Sequence, residues 1–148
     1  MTRIDFYVLP DAAPSSRERF TCRLADIAYR RKQRVYVYAQ SRDQAIVLDN
    51  LLWTFQAGSF VPHALHPSET AAVTPILIGH DGVPDSGHEV LINLAPTIPS
   101  FFSRFERVAE VVNQDAAIKQ AGRERFRFYR DRGYALETHT LTAQMDDA

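Results

Sequence analysis

A chain of 148 residues with 45% hydrophobic and 24% charged side chains is long enough for one packed core and too apolar to stay disordered. Its formal net charge of -1 excludes a molecule-wide positive field, so any grip on nucleic acid or an anionic membrane has to be local. One cysteine, Cys22, cannot close an intrachain disulfide, which fits a reducing cytoplasm. No window approaches the roughly 20 apolar residues of a membrane span, and the opening MTRIDFYVLP lacks the apolar run of an export signal.

Ile4 to Leu9 reads as a buried first strand that stops at Pro10, with Asp5 turned to a less buried side. Pro14, Ser15 and Ser16 announce a helix over about Ser16 to Arg31. There Phe20, Leu24, Ile27 and Ala28 recur at helical spacing, and Arg17, Arg19, Arg23, Arg30 and Arg31 form the solvated side. Val35 to Ala39 is β-branched and aromatic enough for a central strand. Ser41 can cap a second helix from about Arg42 to Trp53. This β-α-β-α alternation favours a mostly parallel sheet flanked by helices, a single-domain, three-layer α/β fold of Rossmann-like type.

Glycines and prolines then punctuate two short strands, Ile76 to Gly79 and Glu89 to Leu94. Pro99 to Phe105 supports one or two helical turns, and Glu106 to Val112 another strand. A last long helix takes up the stretch Lys119 to Tyr134, and Ala135 to Leu141 returns as the final strand. The domain therefore spans residues 1–141, and 142–148 reads as an acidic tail.

The turn after the first strand, PDAAPSS, has none of the glycines that let a backbone approach a pyrophosphate or wrap phosphates, so no nucleotide cofactor is expected. His63 and His66 lack the three or four convergent ligands of a metal centre, and Cys22 lies mid-helix, where a small thiol packs. No catalytic constellation stands out, and no enzymatic activity is expected of the chain itself.

Two stretches remain. KQAGRERFRFYRDRGY, residues 119–134, holds six cationic side chains; turned at about 100° per residue, Lys119, Arg123, Arg127 and Arg130 fall in one quadrant with Phe126 at its edge. Glu124 and Asp131 fall outside it. A solvated face, a groove for single-stranded nucleic acid and a socket for an acidic peptide compete here, and a compact stripe beside one phenylalanine suits the peptide better. The second stretch, LLWTFQAGSFVPH, residues 51–63, gathers Trp53, Phe55, Phe60, Val61 and Pro62, and core packing and a protein interface are both open for it.

FYVL at 6–9, LDNLLWTFQAGSFVPH at 48–63, EVLINL at 89–94 and IKQAGRERFRFYRDRGY at 118–134 together resemble the chi subunit of bacterial DNA polymerase III, in order and spacing, over all but the tail. The resemblance implies a Rossmann-like domain without nucleotide or catalysis. It also implies a one-to-one complex with the psi subunit of the clamp loader, and binding of the acidic, Phe-ending C-terminal tail of single-stranded-DNA-binding protein, so that contact with DNA is mainly indirect. Carried over by motif, the tail site comprises Lys119, Arg123, Phe126 and Arg127, with Val112 and Thr138 lining its pocket. The psi-facing surface draws on Trp53, Phe60, Val61 and Pro62. The chain departs from the pattern at Gly122, which costs a helix interior about 1 kcal/mol relative to Ala, and Asn113 to Ala117 and His66 to His88 match no motif.

Overall fold

The computed structural model describes residues 2–56, 61–67, 74–84 and 88–142. Within them seven strands form one sheet: β1 (Arg3–Val8), β2 (Val35–Tyr38), β3 (His63–Leu65), β4 (Ile76–Gly79), β5 (Val90–Asn93), β6 (Arg107–Val112) and β7 (Ala135–Thr140). The order is β3-β4-β2-β5-β6-β1-β7, and every pairing is parallel. A parallel sheet needs cover on both faces. Helices α1 (Ser16–Arg30) and α2 (Arg42–Thr54) supply it on one side, and α3 (Ala116–Asp131) with a 3-10 turn at Phe102–Arg104 supplies it on the other.

Side-chain alternation assigns residues to the two cores. Val35, Val37, Ile76, Ile78, Val90 and Ile92 point to α1 and α2, whereas Tyr36, Leu77, Leu91 and Val108 point toward Tyr129 of α3. Ser41 caps α2 through Gln44 N at 3.1 Å, as its sequence position suggests, and Asp115 caps α3 through Ile118 N at 3.2 Å.

Three expectations change. Strand β3 falls in a histidine- and proline-rich stretch whose apolar content is too short to announce a strand; its register with β4, His63 opposite Ile76, defines it. Asp5 has no less buried side, because both faces of the sheet are covered: it is 0% exposed, and Arg107 Nε at 2.8 Å and His139 Nε2 at 2.9 Å hold its carboxylate. Arg17 does not join the solvated side of α1. It lies on the inner register with Thr21, Ala25 and Ala28, and its Nη1 donates to the carbonyls of Leu94 and Val111. The tail after Thr142 lies outside the described residues.

Candidate functional site

Helix α3 packs over the β6-β1-β7 end of the sheet, against β6 and the edge strand β7, and reaches β1 through Phe6. Its inner register is Gly122, Arg125 and Tyr129, all buried. Gly122 is what lets the helix come close: a Cβ there would lie 2.8 Å from Val112 Cγ1. The residue is therefore a packing requirement rather than the loosened helix position that propensity alone suggests.

The six cations of the basic stretch separate by surroundings. Arg125 is buried and donates from Nε to Glu110 at 2.9 Å and from Nη1 to Pro96 O at 3.0 Å, so it belongs to the core. Arg132 lies 3.9 Å over the Phe128 ring. Arg130 remains on the predicted stripe, yet it pairs with Asp131 at 3.2 Å, which corrects the expectation of a stripe free of carboxylates. Lys119 Nζ reaches only Gln114 Oε1, at 3.0 Å, and among the described residues Arg123 and Arg127 have no ion pair at all. All three of these are exposed.

Phe126 is half-buried at the foot of this stripe and leans edge-on against Phe6, ring centroids 5.4 Å apart. Phe6 lies opposite Thr138 in the β1–β7 register and Val8 lies opposite Val112 in the β1–β6 register. Val112 is 6% exposed and Thr138 is exposed. The structure thus brings Lys119, Arg123, Phe126 and Arg127 to one flank of α3, with Val112 below and Thr138 on the adjoining strand. The flank can take carboxylates on two unpaired guanidiniums and an apolar ring against Phe126. By contrast Tyr129 is buried against Phe102, and Phe128 lies half-buried on the opposite flank under Arg132, so the stripe carries no row of free rings.

The second stretch splits. Trp53 is 51% exposed at the end of α2, 4.5 Å from the His63 ring, and Ile46 and Val47 of the same helix and Leu65 of β3 are exposed near it in sequence or sheet order. His63 is pinned by Val61 O at 2.6 Å and Asp49 O at 3.0 Å. Val61, expected on the surface, is 1% exposed and packs in the core, because the chain turns inward there to enter β3. Pro62 is half-buried, and Phe60 lies outside the described residues.

One cluster among the described residues has metal-ligand chemistry: Asp5, Glu137 and His139 bring ligand atoms within 4.8 Å of one another. Arg107 and Arg3 already hold Asp5, and Arg3 holds Glu137 at 2.6 Å, so a cation would have to displace two guanidiniums. Sequence reasoning missed the buried ions Asp5, Arg17, Glu110 and Arg125. Their signal is register: each occupies an inward position of its strand or helix.

Comparison with known proteins adds the following. The family model of the DNA polymerase III chi subunit, HolC, matches residues 1–137. The chain is 44% identical over 141 residues to the DNA polymerase III subunit chi of Pseudomonas aeruginosa, covering 95% of this chain and 98% of that one. It is 33% identical to the chi subunit of Haemophilus influenzae, covering 92% and 95%, and 31% identical to that of Escherichia coli, covering 95% and 99%. Among solved structures it resembles UvsW, with a TM-score of 0.68 at 10% identity over 95% of this chain and 41% of that one. It also resembles Mss116p DEAD-box helicase domain 2 bound to an RNA duplex, with a TM-score of 0.58 at 9% identity over 96% and 66%. At such identities these two likenesses show the fold alone.

Proposed function

The chain belongs to the chi-subunit family of DNA polymerase III, a replication accessory subunit, and from that premise we propose that it is a non-catalytic cytoplasmic adaptor. One face meets the psi subunit of the clamp loader, and the outer flank of α3 reads the acidic, Phe-ending C-terminal tail of single-stranded-DNA-binding protein. The observation that carries the tail reading is the pair Arg123 and Arg127, exposed and without ion pairs among the described residues, beside a half-buried Phe126.

In this reading the guanidiniums of Arg123 and Arg127 fork onto the terminal carboxylate and a neighbouring aspartate, Lys119 adds charge, and the terminal phenyl ring enters the notch between Phe126, Val112 and Thr138. The psi-facing surface centres on Trp53 and Pro62, with Val61 supporting it from the core, and Phe60 is assigned to it by motif alone. An exposed tryptophan among Ile46, Val47 and Leu65 has the composition of a protein interface.

Titrating a tail peptide against the wild type and Arg123→Ala tests the reading. A loss of charge-assisted hydrogen bonds costs about 1.5–3 kcal/mol, or roughly tenfold to a hundredfold in affinity. Unchanged affinity in Arg123→Ala would sink the proposal. Binding should also weaken as salt rises, since exposed charges are screened. A direct single-stranded-DNA-binding module is the second reading, favoured by the unpaired arginines but not by the buried Tyr129 or by Phe128, which lies on the opposite flank. A bare oligonucleotide that displaces the peptide at physiological salt would favour that second reading.

A further inference from the structure

On the other flank of α3, a cavity of ≈ 160 Å³ opens at the carboxyl ends of β2, β5 and β6. Open parallel sheets take their ligands at such ends. Ala117 and Ala121 line it from α3, about 160–200° around the helix from Lys119, so it is separate from the basic stripe.

Arg17 of α1 reaches this cavity from below and is 6% exposed. Its guanidinium spends Nη1 on two main-chain carbonyls, Leu94 O at 3.2 Å and Val111 O at 3.3 Å. Among the described residues no carboxylate lies within ion-pair distance of it. The acidic groups that act on it from farther away have other partners. Glu110 is held by Arg125, Asn93 and Tyr129, Glu18 accepts from Gln44 through Oε1 while its Oε2 is buried without a hydrogen-bond partner, and Asp115 caps α3. A buried cation with no carboxylate in ion-pair contact is costly, and burial pushes the Arg17 side chain below the usual guanidinium range, with the charges of Glu18, Glu110 and Asp115 working against that push.

The remaining wall decides the ligand. Apart from Gln40 and Arg125, whose Nε is committed to Glu110, it is aliphatic: Leu94, Ala95, Pro96, Ala117, Ile118 and Ala121. We infer that this cavity binds a monocarboxylate bearing a short aliphatic group, with the carboxylate on Arg17 and the alkyl group against Leu94, Ile118 and Ala121. One negative charge matches one guanidinium that has no carboxylate in ion-pair contact among the described residues, and its planar fork suits a carboxylate. A phosphate dianion would bring a second charge among methyl groups that offer it no donor. The carboxylate belongs either to a free branched-chain acid or to the C-terminal residue of a peptide ending in an aliphatic side chain.

Two-dimensional NMR of the full chain separates the possibilities with four probes: isovalerate, its neutral amide, inorganic phosphate, and N-acetyl-glycyl-valine. Saturable shifts of the Leu94, Ala117 and Ile118 amides with isovalerate, at least about tenfold weaker with the neutral amide, are expected from the loss of charge-assisted hydrogen bonds. Arg17→Gln should abolish them in a spectrum that stays dispersed. Should that variant not fold, Ala121→Leu fills the cavity from the helix side and should abolish them instead. N-acetyl-glycyl-valine binding more tightly than isovalerate assigns the peptide source; weaker binding assigns the free acid. The inference is overturned by an absence of saturable shifts with both carboxylates, by an equal response to the neutral amide, by preference for phosphate, or by shifts confined to the Arg123 and Arg127 flank.

Discussion

Glu110 and Arg125 show how much a single buried ion pair can settle. Glu110 is 0% exposed and takes Arg125 Nε at 2.9 Å, Tyr129 Oη at 2.8 Å and Asn93 Nδ2 at 3.1 Å, while Arg125 Nη1 ties the cluster to Pro96 O at 3.0 Å. Burial pushes the Glu110 carboxyl up, and the guanidinium and the hydrogen bonds work against that push. Removing one partner leaves the other buried and unpaired, which costs about 3–5 kcal/mol, whereas removing both together can be nearly neutral. Glu110→Gln should therefore lose about that much stability in urea denaturation, and adding Arg125→Met should recover a large part of it. A double variant as unstable as the sum of the two single ones would mean that the pair is not coupled. At this scale the sequence is least legible. Helical projection and strand alternation assume that charged residues face water, so Asp5, Arg17 and Arg125 read as surface. Only their long-range partners, at sequence separations of 15 to 134 residues, make them interior.

At the scale of the element, α3 carries a local conflict that tertiary packing resolves. Gly122 weakens a helix by about 1 kcal/mol relative to alanine, so propensity alone recommends Gly122→Ala. The added Cβ would lie 2.8 Å from Val112 Cγ1, and Val112 is a buried β-branched side chain with little rotamer freedom. Overpacking costs typically about 1–3 kcal/mol, so the substitution should lower stability by about 1 kcal/mol net. In the proposed reading it should also weaken tail-peptide binding, because Val112 and Phe126 border one notch; a rise in the melting temperature would refute the close approach. Most elements were legible for a plain reason. Runs such as VYVY at β2 and VLI in β5 are apolar or aromatic because a parallel sheet buries both faces, and helix α2 is announced by its Ser41 cap. Strand β3 was not, since HAL has three residues and its identity rests on pairing with β4. The candidate site divides likewise. The Lys119, Arg123 and Arg127 stripe follows from helical spacing, whereas the burial of Val61 follows from its packing in the core just ahead of β3.

For the whole molecule, the Asp5 cluster joins segments from opposite ends of the chain. Strand β1 lies between β6 and β7, and Asp5 receives Arg107 from one neighbour and His139 from the other, with Arg3 and Glu137 completing the network at the edge. Burial on its own would raise the Asp5 carboxyl, but the hydrogen bonds from His139 and Arg107 and the charges of Arg107 and Arg3 outweigh it and hold the carboxyl below the usual range. A carboxylate whose folded pKa is depressed adds stability that is fully present above its unfolded pKa, about 3.9, and is lost as pH falls through the folded value. Asp5→Asn removes that contribution at neutral pH and has nothing left to remove in strong acid. The stability gap between wild type and Asp5→Asn, measured by urea denaturation, should therefore be widest at pH 7 and should shrink steadily below about pH 4. A gap that stays constant between pH 7 and pH 3 would mean that the carboxylate charge does not tie β6, β1 and β7 together, leaving packing alone to close that side of the sheet.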